Sequence, residues 1–306
     1  MKRLIVLSLI AAGMVLTAGF SIPTQAQSPA NDFKPTYISP TPGLYVNGWP
    51  AFTVSYPKEW VEVPIVEPFS VFNVGSAGPD LPPGSFLEII VVPNPLPLEE
   101  WAKWCMPVWV QNATDIKILS DKPSQLKDGT PAREVEAEYV WRNERKVNEF
   151  VLMTKKGVVW VTIWLTTSER AGEDLKKYPY SLTFLQGREE PVKVPPDVRA
   201  FLDMYCADIV GHDIKAIMAH YSDRFLWGVM SKPVFELLVA QPDSPFPQVI
   251  SREPSVTVFE PQGDKAYVDG FFLDKAKGDA DAVKVPMFFQ QIINEHGQWK
   301  WFGNHK

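Results

Sequence analysis

The sequence predicts an α+β fold in two domains, a strand-rich domain followed by one in which helices precede strands. Residues 44–166 contain short runs of alternating or continuous apolar residues, which indicate strands. Residues 197–210 repeat apolar residues at helical spacing, which indicates a helix with one buried face. A stretch rich in proline and charge, 187–195, separates the two patterns and is typical of a linker.

The first 26 residues have the pattern of a signal peptide. Basic residues precede an uncharged apolar run at 4–20, and the small residue Ala26 suits cleavage before Gln27. We therefore expect a periplasmic or secreted protein that meets the membrane only through the uncleaved signal. The alternative is a permanent anchor, although the run is shorter than a typical span. Residues 27–43 are polar and proline-rich and predict an extended lead-in.

Composition and motifs exclude several classes of function. The chain has 36 acidic and 30 basic residues, and no basic patch, which argues against nucleic acid as a partner. It has no Gly-rich phosphate loop, no GxSxG nucleophile motif and no zinc-ligand spacing. The sequence therefore predicts no catalytic residue, no metal and no cofactor.

The two cysteines, Cys105 and Cys206, leave two possibilities open. In an oxidising compartment they can pair, and the disulfide would then join the two domains. The alternative is two buried free thiols, because cysteine is commonly buried as a small apolar residue.

The first domain begins with a hairpin. Asn47-Gly48 is a strong signal for a two-residue turn, and 51–56 is the returning strand. The alternation in 132–142 places three glutamates on one face, where Lys146 and Lys155 are available as partners. Further strands are predicted at 69–74, 86–92, 115–119, 146–154 and 158–166, and helices at 98–112 and 172–185.

The string GLYVNGWPAFTVSYPKEW resembles the start of PsbP/Mog1-like domains, in which a hairpin leads to a Pro–x–x–Trp corner. The resemblance implies an αβα sandwich with an antiparallel sheet over 44–186. Members of that group are mostly binding or assembly subunits, so the resemblance implies no catalytic residue in this half.

The second domain begins with the helix at 197–210, for which Asp197 is the expected cap. Gly211 ends that helix, and Asp213 caps a second one. By helical spacing, His220 is expected to face solvent. A third helix is predicted at 234–240, and strands at 255–260, 265–274, 285–295 and 298–303.

This order, helix–GHD–helix–HYSDRF followed by strands, resembles the NTF2-like (SnoaL/cystatin-like) superfamily. The resemblance implies an α+β cone over 196–306, with a pocket between the sheet and the first helices. The steroid isomerases of the superfamily use a tyrosine and a carboxylate base. Tyr205 matches the tyrosine, but Val229 stands where the base belongs. The ligand-binding candidates are Tyr205, Tyr221, Trp227, Asp269 and Phe271.

Two further expectations concern the last sheet. Tyr205 is expected to point at the sheet, where its hydroxyl needs a partner, and strand phase makes Asp269 that partner. Strand 285–295 and the tryptophans after it are apolar on both faces, so both faces need covering. One face belongs to the helices. The other is expected to meet either the first domain or a second copy of the chain, as a homodimer.

We therefore expect an exported, non-catalytic binding protein of the bacterial envelope. Its ligand would be a protein partner or a small apolar molecule held in the NTF2-like pocket. One alternative is an NTF2-like isomerase or hydrolase that uses Tyr205 and Asp269, and another is a structural assembly subunit. A wide cavity with converging polar groups would favour the enzyme, and a cavity filled by aromatic rings would favour assembly.

Overall fold

The computed structural model describes residues 36–63, 65, 69–76, 85–94, 96–100, 113–141, 145–228, 230–241 and 248–304. The predicted signal peptide, the start of the lead-in and most of the predicted helix 98–112 lie outside the described residues. Within the described part of the chain, no helix is both long and apolar enough to cross a membrane.

Strands dominate the described elements, and a few helices accompany them, in agreement with the predicted α+β class. The described helices are α1 (Glu173–Lys176), α2 (Pro196–Gly211), α3 (Ile214–Ala219) and α4 (Lys232–Val239), with a 3-10 turn at Pro179–Ser181. The strands are β1 (Leu44–Asn47), β2 (Phe52–Ser55), β3 (Trp60–Glu62), β4 (Ser70–Ser76), β5 (Phe86–Pro93), β6 (Ala113–Gln125), β7 (Pro131–Trp141), β8 (Arg145–Lys156), β9 (Val159–Thr167), β10 (Thr183–Phe184), β11 (Tyr221–Trp227), β12 (Met230–Ser231), β13 (Val249–Gln262), β14 (Lys265–Ala276), β15 (Val283–Pro286), β16 (Gln291–Glu295) and β17 (Gln298–Gly303).

The N-terminal part contains a seven-stranded antiparallel sheet in the order β3-β4-β5-β9-β8-β7-β6. Every residue of β9 is buried, because β9 lies between β5 and β8 and both faces of the sheet are covered there. Strands β1, β2 and β10 form a separate three-stranded sheet. Its Tyr45 and Phe52 share a hydrophobic cluster with Phe72 and Phe150 of the larger sheet, so the small sheet covers one face of the large one.

Two local predictions for this part are wrong. The turn between β1 and β2 has four residues, because Asn47 pairs directly with Phe52. The predicted helix at 172–185 is reduced to the single turn α1, a 3-10 turn and the short strand β10. Pro179 begins the 3-10 turn, and its missing N–H prevents the helix from continuing through it.

Helix α2 has nearly the predicted bounds but not the predicted cap. Its N-cap is Pro195, and it ends at Gly211, after which His212 adopts a left-handed conformation. Asp197 lies in the first turn, where its carboxylate accepts a hydrogen bond from the indole N–H of Trp299 at 2.8 Å. This bond ties the beginning of α2 to β17 of the sheet beneath it.

The C-terminal sheet follows the helices, in the order β12-β11-β17-β16-β14-β13, with β15 paired to β14. As predicted, Asp213 caps α3, and its side chain accepts the N–H of Ala216 at 3.1 Å. The single strand predicted at 285–295 is divided into β15 and β16. Between them Gln290 has a φ of 51°, which turns the chain out of the extended conformation.

The two largest hydrophobic clusters among the described residues each contain residues from both sides of the 187–195 stretch. The first joins Phe69 to Phe201 of α2, and the second joins Phe72 to Phe271 of β14. No described strand before the stretch pairs with a described strand after it. Strand pairing is therefore interrupted at the predicted linker while the core is continuous across it, and the division into two domains stays a prediction.

Candidate functional site

The predicted site residues lie on two opposite faces of the C-terminal sheet, and the side chains of β14 show which face is which. Phe272 packs in the cluster that contains α2. Tyr267 and Phe271 pack in the cluster that contains the β1–β2 hairpin. Asp269 lies between those two in the alternation and accepts a hydrogen bond from the N–H of Trp49 at 3.3 Å. Asp269 and Phe271 therefore face the N-terminal part of the chain rather than the helices.

The helix side of the sheet is occupied by a set of packed rings, called here the aromatic cluster. Each member is at most 6% exposed, and neighbouring rings meet edge to face or at a tilt. The Tyr221 and Phe225 centroids are 4.9 Å apart, and those of Tyr205 and Trp301 are 5.5 Å apart. Such contacts add to the stabilisation from burial. The members are Tyr205, Tyr221, Phe225, Trp227, Phe235, Phe289 and Trp301. Three predicted site residues are thus brought together, with other rings around them.

The hydroxyl groups of Tyr205 and Tyr221 bond to each other at 3.0 Å. The predicted hydrogen bond between Tyr205 and Asp269 is wrong, because the sheet separates the two side chains. Strand alternation shows which residues share a face but not which side of the sheet that face takes. Burial raises the pKa of both tyrosines, so both keep their protons at neutral pH.

His220 is closer to the aromatic cluster than its sequence position suggests. Its Nε2 lies 2.7 Å from a carboxylate oxygen of Asp208, and its side chain is 13% exposed. The ring also meets Tyr205, at a centroid distance of 5.7 Å. The expectation that His220 faces solvent is wrong, because α3 ends at Ala219 and helical spacing does not extend to the next residue.

A buried ion pair lies at another edge of the cluster. The Nε of Arg252 donates to Asp274 at 2.7 Å, and the guanidinium lies 4.7 Å from the ring centre of Phe272. Burial opposes the charge, but the Asp274 carboxylate keeps the pKa of Arg252 raised. Burial also raises the pKa of Cys206 to about 12, so this cysteine stays a protonated thiol. Cys206 is free and buried, and Cys105 lies outside the described residues.

The opposite face of β14 carries a single buried carboxylate, that of Asp269. Tyr267 donates to it at 2.9 Å and the N–H of Gly270 at 2.7 Å. Burial raises the pKa of Asp269 to about 7, although these hydrogen bonds lower it in part. Phe271 packs beside it against Trp49, with ring centres 5.0 Å apart.

Further contacts join the N-terminal part to the C-terminal part of the chain. The amide of Asn304 donates to the carbonyl of Ser70 at 3.1 Å, and Glu260 accepts the N–H of Thr36 at 2.8 Å. The face of the sheet that carries Asp269 was expected to meet either the first domain or a second copy of the chain. The chain's own N-terminal part occupies it.

The glutamates on one face of β7 form ion pairs with lysines, as the charge pattern predicts. Lys146 is one of these partners, whereas Lys155 donates to the carbonyl of Leu96 instead. Among the described residues, no group of three or more His, Cys, Asp or Glu side chains is placed to hold a metal ion. The pairs are Glu134–Lys122, Glu136–Lys176 and Glu138–Lys146 at 2.5–2.7 Å.

A second buried carboxylate lies in the N-terminal sheet. Glu149 of β8 is 4% exposed and accepts hydrogen bonds from Tyr139 at 2.6 Å and Thr166 at 2.7 Å. Burial raises the pKa of Glu149 to about 7. A cavity of about 10 Å³ lies beside β7 and β8, which is room for about one water molecule.

Comparison with known proteins gives similarity of structure only. No family model matches the chain, and no curated protein matches it. It is similar to cyanobacterial PsbP (CyanoP) from Synechocystis sp. PCC 6803, at 14% identity and a TM-score of 0.37, over 52% of this chain and 99% of that one. A Pseudomonas aeruginosa protein of unknown function, a putative regulator by its description, matches at 13% identity and a TM-score of 0.26, over 38% and 76%. A Bacteroides thetaiotaomicron VPI-5482 protein matches at 12% identity and a TM-score of 0.27, over 81% and 85%. These values assign no function.

Proposed function

We propose that this protein is a non-catalytic binding protein of the bacterial envelope whose ligand is another protein. Its C-terminal part would be an NTF2-like cone with a filled interior, and its N-terminal part a PsbP/Mog1-like sandwich. The element order supports the first assignment, since α2 and α3 precede β11 and β12, and α4 precedes the antiparallel strands β13 to β17. The antiparallel sheet covered by a hairpin layer supports the second.

The observation that carries the proposal is the aromatic cluster. In an NTF2-like cone, a ligand would lie between the first helices and the sheet, and here Tyr205, Tyr221 and Trp227 occupy that space with their neighbours. All three are at most 2% exposed. Small-molecule sites are concave and largely formed before the ligand arrives. A closely packed set of rings favours a core, and therefore favours contact with a protein through the outer surface, either as a binding protein or as an assembly subunit.

The small-ligand alternative has one observation in its favour. The indole N–H groups of Trp227 and Trp301 are buried and have no hydrogen-bond partner among the described residues. A buried donor left without an acceptor costs about 1–3 kcal/mol. A small, mostly apolar molecule with one acceptor atom would satisfy such a donor.

The alternative enzyme has less support from the geometry. The proposed isomerase or hydrolase needs Tyr205 and Asp269 at one reacting centre, because proton transfer requires hydrogen-bond distance. The two side chains lie on opposite faces of the sheet. On the tyrosine's side, His220 meets the edge of the cluster rather than its interior, and the Asp274 carboxylate is held in an ion pair by Arg252.

Native mass spectrometry of the chain from Gln27 distinguishes a protein ligand from a small molecule held in the aromatic cluster. The protein is purified from the envelope fraction without detergent, and an organic extract of the same sample is analysed for released molecules. We expect the mass of the chain alone, or of the chain with a protein subunit. A stoichiometric small molecule that is absent from a matched Phe289→Ala sample would establish small-ligand binding in the cluster and would reject the proposal.

A further inference from the structure

Strand β6 forms one edge of the N-terminal sheet and is the longest of its described strands. It spans thirteen residues, Ala113–Gln125, and β7 is the described strand that pairs with it. The outward backbone N–H and C=O groups of β6 therefore meet no other strand in the part of the chain that the structure describes. A long edge of this kind is a template for pairing with another chain.

The middle of this strand exposes aliphatic side chains to solvent. Ile116, Ile118 and Leu119 are 44%, 50% and 44% exposed. Nowhere else among the described residues do three exposed large apolar side chains fall within four positions. Single exposed apolar residues are normal, whereas a group of them marks a surface that another molecule covers.

The lysines of β6 do not repel an incoming strand, because the chain's own glutamates neutralise them. Lys117 lies 3.7 Å from Glu138, and Lys122 lies 2.7 Å from Glu134. Asp115, by contrast, is exposed and has no ion-pair partner within the described part of the chain. The edge therefore carries one negative charge that a cation of a second chain can meet.

A bulge in β6 limits the ways in which two copies of the strand can pair. Lys117 lies opposite Glu138 and Ser120 lies opposite Glu136, so β6 has one residue more than β7 between these positions. Residues opposite each other share a face of the sheet, so both β6 residues lie on the glutamate face although they are three positions apart. An antiparallel pair of β6 strands keeps its faces matched across this bulge only if the two-fold axis lies beside the extra residue, Leu119.

Charge distinguishes the two positions that the axis can take. One position lies between Ile118 and Leu119. It brings Asp115 of each copy opposite Lys122 of the other, so opposite charges meet at both ends. The other position, one residue further along the chain, brings Lys117 opposite Lys122. Opposite charges across a strand pair stabilise it and like charges destabilise it, so the bulge and the charges agree on the first position.

We propose that β6 is a homodimer interface, at which the strand pairs in antiparallel with β6 of a second copy around a two-fold axis between Ile118 and Leu119. The pairing joins the two N-terminal sheets into one continuous sheet. It spans residues 115–122, about 26 Å of strand, which is a small interface of the kind that weak, reversible complexes use. The dimer goes beyond the proposed binding function and does not depend on it, since other outer surfaces remain free.

Sedimentation velocity of the full mature chain over a concentration series tests the interface. We expect a monomer–dimer equilibrium with a Kd in the micromolar range. Ile118→Lys places an ammonium group from each copy beside the axis, and should raise the Kd by about tenfold or more. Leu237→Lys is the matched control, because this side chain is 67% exposed on α4, and should leave the Kd unchanged. Circular dichroism establishes that each variant is folded.

Exchange of the charges tests the register. Asp115→Lys and Lys122→Asp each bring like charges together at both ends of the interface, so each variant alone should dimerise about tenfold more weakly than the wild type. A one-to-one mixture restores an opposite-charge contact at each end, and should dimerise about as strongly as the wild type.

Several results would overturn the proposal. A wild-type chain that stays monomeric throughout the series excludes the dimer. A dimer that persists in Ile118→Lys, or a mixture of the charge variants that does not associate, excludes this interface. If the wild type is monomeric alone but retains a different envelope protein that Ile118→Lys loses, β6 pairs with a foreign strand and the second copy is excluded. If Ile118→Lys does not fold, the charge variants decide.

Discussion

The two faces of the C-terminal sheet are both buried but are packed in different ways. The helix face is covered by the aromatic cluster, whose hydroxyl groups bond to each other at Tyr205 and Tyr221. The hairpin face also carries apolar rings, such as Phe271 against Trp49, but at its centre is the carboxylate of Asp269. Apolar contact is not directional, whereas a buried carboxylate tolerates only an arrangement that supplies donors to it. The N-terminal part therefore meets the two faces differently, through the ring of Phe69 against Trp227 on the helix side and through hydrogen bonds to Asp269 on the hairpin side.

Truncation in the aromatic cluster should give the largest loss of stability. Phe289→Ala removes a ring that contacts Tyr221 and Trp227, each with centroids 5.3 Å apart. Phenylalanine truncation in a core costs about 3–5 kcal/mol of unfolding free energy, measured by urea denaturation. Leu237→Ala is the control, because its side chain is 67% exposed, and it should cost less than about 0.5 kcal/mol. Equal losses in both variants would show that the cluster is not a tight core.

The sequence predicts the helical side of the aromatic cluster better than it predicts the surroundings of Asp269. Helical spacing correctly places Tyr205 and Ile209 on the buried face of α2, because periodicity alone fixes that face. Strand alternation correctly puts Tyr267, Asp269 and Phe271 on one face of β14. It cannot say which partner covers that face, since the covering hairpin lies more than 200 residues away in the chain.

Two other features that the sequence did not predict, strand β11 and the position of His220, have local causes. Strand β11 follows α3 with only His220 between them, and its burial pattern lacks clear alternation, so the sequence pattern does not show it as a strand. The pairing of His220 with Asp208 depends on that boundary. Both errors arise at the C-terminal end of α3, because helical spacing does not predict the direction of side chains beyond the last residue of the helix.

Glu149 provides a reference for a buried carboxyl away from the hairpin. Its pKa is raised from 4.5 to about 7 by burial, so the folded protein binds this proton more tightly than the unfolded chain does. The unfolding free energy should fall as the pH rises from about 4.5 to above 7, by roughly 3 kcal/mol from this group. Urea denaturation at pH 5 and pH 8 should show a smaller decrease in Glu149→Gln.

The matched control for this effect is Glu138→Gln on the neighbouring strand. Lys146 lowers the pKa of Glu138, so Glu138 stays ionised across the same pH range and its replacement should leave the pH dependence unchanged. An identical pH dependence in wild type and Glu149→Gln would mean that Glu149 has an ordinary pKa.

Crowding at the hairpin turn should affect the Asp269 face alone. Gly48→Ala places a methyl group on the Asp269 carboxylate, and such overpacking costs about 1–3 kcal/mol. Gly211→Ala at the end of α2 is the control, because a Cβ atom there meets nothing within 4 Å. Thermal unfolding should show a lower Tm for the first variant and a Tm close to that of wild type for the second. Equal Tm values would contradict the close contact between turn and carboxylate.

The smallest expected effect is that of one hydroxyl on the helix face. Tyr205→Phe removes the bond to Tyr221 and leaves a single buried hydroxyl, which should cost about 1 kcal/mol. If the cluster is a core, partner binding is unchanged once the stability loss is taken into account. A loss of ligand affinity without any change in Tm would instead show that the hydroxyl belongs to a binding site.

Xenon binding to crystals tests the filled interior most directly, because xenon enters apolar cavities that are empty of water. We predict no xenon site among Tyr205, Tyr221, Trp227 and Trp301 in the wild-type crystal under pressure. Phe289→Ala should acquire a xenon atom in the space that the removed ring leaves. A well-occupied xenon site within the wild-type cluster would contradict the account, because it would show an open cavity of the kind that binds a small apolar ligand.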